Sequence, residues 1–206
     1  MVNHLIDATF QRQIIFALMT IILGLFGHAA KAEHGEQTWA QAQKSVVVVN
    51  PVWPGYDRPG FGAPKGIAPA GSGIYFSIDG AEKSTFIITA AHVVNSVQSI
   101  EIIDFSGNIA TAMIYAIDTR RDIAILRTEL IGTGIAIRQD EPLIGSHVCA
   151  LGNSFGLGTG MTCGVVSAVG RSNVGFNDIE DFIQTDAAVN PGMSGGALVD
   201  PHGRLV

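Results

Sequence analysis

Three short segments of the chain carry side chains suited to nucleophilic chemistry. Thr89-Ala90-Ala91-His92-Val93-Val94 sets a histidine just after a β-rich run, and Arg121-Asp122-Ile123-Ala124-Ile125-Leu126 opens another apolar run on an acid. Asn190-Pro191-Gly192-Met193-Ser194-Gly195-Gly196 wraps a serine in glycines. Each has an ordinary structural reading taken singly: a packing histidine, an aspartate that ends a turn, a tight glycine turn. Together they supply what acyl transfer needs. Ser194 offers a hydroxyl nucleophile, His92 an imidazole to take its proton, and Asp122 a carboxylate to hold the imidazole in the right tautomer. The glycines let the backbone turn so that the N–H groups of Gly192 and Ser194 can face one developing oxyanion. A side chain at Gly192 or Gly195 is expected to crowd the substrate carbonyl.

Two other motif readings fail on inspection. Gly192 to Gly196 also satisfies Gly-x-Ser-x-Gly, the nucleophile elbow of α/β hydrolases, whose acid and histidine follow the serine. Only Asp200 and His202 remain downstream, with no room between them for a sheet and its helices. The stretch GNSFGLGTG at 152–160 lacks the Lys-Ser/Thr ending of a phosphate loop, and Met161 stands where Gly-x-Gly-x-x-Gly needs its third glycine. It reads as a hairpin connection.

The elements that must position these residues are short strands. Ser45 to Asn50 is β-branched, and from Gly73 onward β-rich runs alternate with turn signals. They are Ile74–Ile78, Thr85–Thr89, Ser99–Asp104, Ala110–Ile117, Ile123–Thr128, His147–Leu151, Cys163–Val169, Asp181–Gln184 and Ala197–Asp200. No helical stretch of ten residues interrupts them, so an all-β barrel or sandwich is expected. Residues 51–73 hold five prolines and six glycines, which breaks both helical and strand periodicity and predicts a long loop. Cys149 and Cys163 lie seven residues either side of Gly156, so a hairpin turning there can bring them face to face. A disulfide and a pair of small buried thiols are both compatible with that register.

Composition bounds the rest. The 206 residues carry 12 basic and 18 acidic side chains, a net charge of −6, which argues against a nucleic-acid partner. With 47% apolar residues the chain can bury a core, and no Cys/His cluster has metal-ligand spacing. Part of the apolar content belongs to a leader. Ile14 to Phe26 is a thirteen-residue apolar run preceded by Arg12, too short for an ordinary membrane span of ~20 residues, and Ala30-Lys31-Ala32 suits signal peptidase. Residues 1–32 are therefore read as a signal peptide cut after Ala32, with an uncleaved anchor as the alternative, so that the remainder leaves the cytoplasm for the periplasm or the exterior. Residues 33–44 form a polar arm, a short helix or a frayed segment, and residues 45–206 a single domain. If the leader is cleaved, no stable membrane span remains.

The segments TAAHVV, RRDIAIL, ALGNSFGL, CGVVSAVGR and FIQTDAAVNPGMSGGALVD, in this order, resemble the protease domain of the HtrA (Deg) family of trypsin-like serine peptidases. The resemblance covers roughly Ser45 to Val206. It implies two perpendicular six-stranded β-barrels of the chymotrypsin type, with His92 and Asp122 from the first and Ser194 from the second meeting in the cleft. Ser194 would be the nucleophile, His92 the general base and then acid, Asp122 the orienting carboxylate, and the Gly192 and Ser194 amides the oxyanion hole. Ala188, six residues before the nucleophile, would lie at the base of the primary specificity pocket, which without a carboxylate suits small aliphatic residues rather than Lys or Arg. Asp186 is read as structural. The implied reaction is endoproteolysis of unfolded or damaged polypeptides, without metal or organic cofactor. A relative that binds polypeptides in the same cleft without cleaving them is the alternative. Family members often trimerise through the amino-terminal part of this domain, which points to residues 33–44 for a homotrimer contact. Two features depart from the family pattern. Met193 stands where asparagine is usual, so an apolar side chain adjoins the oxyanion amides. Only twelve residues follow Ser194, where the fold calls for about two more strands and a PDZ domain commonly follows, so the second barrel is expected to be incomplete.

Overall fold

The computed structural model describes residues 33–77 and 81–206; the expected leader, residues 1–32, lies outside the described residues. The polar arm begins as helix α1 (Glu33–Ala42), followed by a single 3-10 turn over Gln43–Ser45 that leads directly into the first strand. The helix is anchored to the far end of the chain by the Thr38 hydroxyl, which donates to the Pro201 carbonyl at 3.0 Å.

Six antiparallel strands then close into a barrel: β1 (Val46–Val52), β2 (Gly71–Phe76), β3 (Lys83–Ala90), β4 (Ser99–Ile103), β5 (Ile109–Asp118) and β6 (Ile123–Thr133), in the spatial order β1-β2-β3-β6-β5-β4. Period-2 alternation explains the Val46–Val49 run. Val47 and Val49 point into the barrel with Tyr75, Ile87, Ile102 and Leu126, all essentially inaccessible. Val46 points the other way, into a second core with Ile74, Cys149, Leu151, Ala197 and Val199. Both faces of β1 are thus covered, which is why it carries no polar alternation.

The second core is roofed by a four-stranded sheet, β7 (His147–Gly152), β8 (Gly160–Arg171), β9 (Phe182–Thr185) and β10 (Ala197–Val199), in the order β10-β7-β8-β9. The first half of the expected double barrel is closed and the second is an open sheet of four strands. Strand β8 starts three residues earlier than its sequence suggests, because Gly160 to Thr162 continue the ladder with β7 from Gly152↔Gly160 onward.

In that ladder Cys149 stands directly opposite Cys163, with Cα atoms 4.0 Å apart, and the two form a disulfide. The loop it closes, a sequence separation of 14, contains Asn153 to Gly158 beside the serine segment. On the chain-entropy account a loop of this size contributes about 3 kcal/mol. Replacing both cysteines by alanine is expected to lower the free energy of urea unfolding by about that amount, with a denaturant slope no smaller than the parent's because the unfolded chain is no longer cross-linked. A variant as stable as the parent would show that the β7–β8 ladder needs no cross-link.

Candidate functional site

His92 lies on a single helical turn, α2 (Ala91–Val94), that follows β3 after the extended residue Ala90. Asp122 ends the β5–β6 connection in the left-handed region, at φ +58°, a conformation aspartate tolerates better than most residues. That conformation aims its carboxylate back at α2. Oδ1 accepts the His92 backbone N–H at 2.8 Å, and Oδ2 lies 2.6 Å from His92 Nδ1. The Asp122 carbonyl accepts the Ala91 N–H at 3.1 Å. Every oxygen of Asp122 is therefore committed to Ala91 and His92. With Nδ1–H donated to the carboxylate, the neutral imidazole keeps its lone pair on Nε2. The His92 side chain is 49% exposed and that of Asp122 26%, so the acid is shielded behind a base that solvent and ligands can reach.

The turn before Asp122 is braced from two sides. Asp118 accepts the N–H groups of Arg120 and Arg121 at 3.0 and 3.2 Å and pairs with the Arg121 guanidinium at 2.7 Å. The hydrogen bond from that guanidinium holds the Asp118 carboxyl below the usual carboxylate range. From the second sheet, the loop between β8 and β9 reaches across. Its Ile179 N–H donates to the Arg120 carbonyl at 3.1 Å, and the Asn177 side-chain amide donates to the Arg121 carbonyl at 3.4 Å. Glu180 organises this loop by accepting the N–H groups of Val174, Gly175, Phe176 and Asn177 at 2.7 to 3.1 Å. Partial desolvation pushes the Glu180 carboxyl up, but the N–H groups of Asn177, Val174, Phe176 and Gly175 together outweigh it and hold the group below its ordinary value. Sequence reasoning passes over Glu180, since nothing in Asn177-Asp178-Ile179-Glu180 distinguishes it from a solvated acidic turn.

Ser194 comes from the loop between β9 and β10 and is half-buried. Its carbonyl accepts the Ser72 N–H at 2.8 Å. Among the described residues no hydrogen bond joins the Ser194 hydroxyl to His92; what the structure shows is a contact between the serine loop and the residues before His92. A Cβ built on Gly195 would sit 2.4 Å from Thr89 Oγ1 and 2.7 Å from the Ala90 nitrogen, so the serine loop is pressed against the residues that lead into α2. Gly192, at φ +95°, is buried, and a Cβ there would lie 2.2 Å from the Asn153 carbonyl oxygen. The glycines are thus required by contacts within the protein. That requirement holds before any substrate carbonyl is considered.

The backbone of this loop is held by its carbonyls. Pro191 C=O accepts the Phe155 N–H at 2.8 Å, and Met193 C=O accepts the Gly196 N–H at 2.9 Å. Among the described residues, neither the Gly192 N–H nor the Ser194 N–H donates a hydrogen bond within the protein. Met193 turns its side chain inward against Ala150 and Ala187, and its own N–H donates to Asn190 C=O at 3.0 Å. The apolar residue is therefore buried in a small core of its own. Ala188 is exposed beside it, its carbonyl accepting the Thr162 hydroxyl at 2.6 Å. Asp186 accepts the Val165 N–H at 2.7 Å and so ties its own segment to β8, as its structural reading requires. Among the described residues no group of three or more His, Cys, Asp or Glu side chains is placed to hold a metal ion.

Residues 71–206 match the family model described as trypsin-like peptidase domain. The chain is similar to the periplasmic serine endoprotease DegP of Salmonella typhimurium, 40% identical over 139 residues, covering 66% of this chain and 28% of that protein. It is also similar to the periplasmic pH-dependent serine endoprotease DegQ of Escherichia coli, 41% identical over 124 residues, covering 59% and 27% respectively. Among solved structures, the HtrA-type protease AlgW with tripeptide superimposes with a TM-score of 0.72 at 32% identity, covering 83% of this chain and 52% of that one. The serine endoprotease from Yersinia pestis gives 0.65 at 33% identity, covering 82% and 54%. The closed barrel and open sheet described above thus correspond to a trypsin-like double barrel whose second half is incomplete. The chain spans little more than a quarter of the length of these curated relatives.

The depressed Glu180 carboxyl gives the β8–β9 loop a definite pH response. Because its folded-state value lies below its unfolded one, its support is fully present above the ordinary glutamate value of about 4.3 and is lost as pH falls through the folded-state value. Backbone NMR relaxation should find residues 174–177 ordered at neutral pH and mobile in acid, and mobile at both in Glu180→Gln. Ordered amides in the neutral Gln variant would show that the carboxylate does not hold the loop.

Proposed function

The chain belongs to the trypsin-like peptidase domain family and, within it, to the HtrA-type proteases, and from that premise we propose that it is a serine endopeptidase working through Ser194, His92 and Asp122. The observation that carries this reading is the committed Asp122 carboxylate. It fixes His92 at both its backbone N–H and Nδ1 and leaves Nε2 as the acceptor.

In the proposed reaction Ser194 Oγ attacks a peptide carbonyl while His92 Nε2 takes its proton. The imidazolium that forms is stabilised by Asp122, which stays ionised. The N–H groups of Gly192 and Ser194 receive the oxyanion of the tetrahedral intermediate. They are set before the reaction begins, so little reorganisation is needed as charge develops. His92 then gives its proton to the leaving amine, and the acyl-enzyme on Ser194 is hydrolysed by a water that His92 deprotonates in turn. All of this is acid–base and hydrogen-bond chemistry that side chains and backbone amides supply.

Substrates are proposed to be unfolded or damaged polypeptides, with small aliphatic residues such as Val or Ala accepted next to Ala188. The similar proteins are named as periplasmic, and among the described residues no helix is long and apolar enough to cross a membrane. Together with the expected leader, the periplasmic naming of the similar proteins supports action outside the cytoplasm.

A fluorophosphonate probe should label Ser194 covalently, and Ser194→Ala should abolish labelling while leaving the fold unchanged. Asp122→Asn should slow labelling by about four orders of magnitude, since an amide at that place favours the wrong imidazole tautomer. Failure of the folded parent to react, with denatured polypeptide still bound, would assign the cleft to binding without cleavage.

A further inference from the structure

We propose that Ser72 is a positioning residue for the oxyanion loop, a buried hub that ties the closed barrel to Gly192–Ser194. The proposal rests on the serine endopeptidase reading above. Ser72 lies in β2 and is 0% exposed. Its N–H donates to the Ser194 carbonyl at 2.8 Å. Its hydroxyl donates to the Gly192 carbonyl at 2.8 Å and accepts the Asn153 N–H at 2.8 Å. Its own carbonyl accepts the hydroxyl of buried Thr89 at 2.6 Å. Ser72 thus meets both carbonyls that flank Met193, the start of the Asn153–Gly158 loop, and the strand that leads to His92.

Peptide planarity turns these contacts into an orientation. In a trans peptide the C=O and the following N–H point in opposite directions. The Pro191 carbonyl, taken by the Phe155 N–H, therefore turns the Gly192 N–H away from Phe155, and the Met193 carbonyl, held by Gly196, turns the Ser194 N–H away from Gly196. The Ser72 hydroxyl pins the peptide between these two planes through Gly192 C=O. Through Asn153 it also steadies the loop that carries Phe155. One side chain therefore supports both amides while standing behind the loop, out of reach of a substrate. A serine enclosed by glycines inside a strand marks a place where backbones approach closely, and Gly71-Ser72-Gly73 carries that signal in the sequence.

The test uses Ser72→Ala, which strands a buried carbonyl and a buried N–H, and Ser72→Cys, which keeps the shape but offers only a weak donor. Turnover of a peptide substrate and affinity for a peptidyl boronic acid, whose tetrahedral adduct on Ser194 occupies the oxyanion site, are compared with affinity for a cleaved product peptide. In S72A the expected result is a kcat loss on the order of 100-fold at unchanged KM, with boronate affinity falling in parallel and product affinity constant. S72C should fall between, and it decides the matter if S72A does not fold. Amide hydrogen exchange over residues 190–196 should accelerate in the variants while the barrel strands stay protected. Parent-like kcat and boronate affinity, or unchanged exchange over 190–196, would overturn the assignment. If the parent itself neither turns over substrate nor binds the boronate, the endopeptidase reading fails. The exchange data then stand alone, acceleration supporting the positioning role and no change refuting it.

Discussion

Everything at this site depends on a seam between two halves that fold around different cores. The histidine and aspartate are furnished by the closed barrel, the serine and its flanking amides by the open sheet, and the proposed chemistry tolerates little misplacement between them. The seam is made of main-chain groups and the Ser72 hydroxyl. Ser72 grips the carbonyls of Gly192 and Ser194, and Gly195 lies so close to Thr89 and Ala90 that no side chain fits. Behind it the shared core of Val46, Ile74, Cys149, Leu151, Ala197 and Val199 removes water from both sides of the joint. Apolar burial supplies the attraction, and the directional bonds decide the register at which the halves stop.

On the barrel side the governing feature is a strained aspartate. Holding a residue other than glycine in the left-handed region costs about 1 kcal/mol. Asp122 is kept there because its carbonyl and both carboxylate oxygens are engaged by Ala91 and His92, while Asp118 and the β8–β9 loop fix the two residues before it. The same conformation that strains the backbone is the one that points the acid at the base. The β8–β9 loop makes that turn a joint product of both halves, since a segment of the open sheet holds the main chain beside the acid of the barrel.

Much of this is legible in the order of the residues. The β-branched run at 46–49, the regular alternation of short strands with turns, and the approach of Cys149 to Cys163 around Gly156 all follow from local pattern. His92, Asp122 and Ser194 stand out because their types, once grouped, imply a single chemistry. The seam is harder to see. Ser72 acts through residues 81 and 120 positions away, and no local periodicity marks such partners, although its two flanking glycines hint at close backbone contact. Glu180 is an ordinary surface acid by composition and becomes a loop organiser only where four N–H groups converge on it. The demand for glycine at 192 and 195 is legible, but its cause lies in Asn153, Ser72 and Thr89, which only the fold brings near.

The central claim is that an imidazole held by Asp122 serves as the base for Ser194. The most direct measurement is the rate of covalent fluorophosphonate labelling of Ser194 in the parent and in a folded His92→Ala variant. The rate is predicted to drop to a small residue in His92→Ala. A His92→Ala variant labelled as fast as the parent would contradict it.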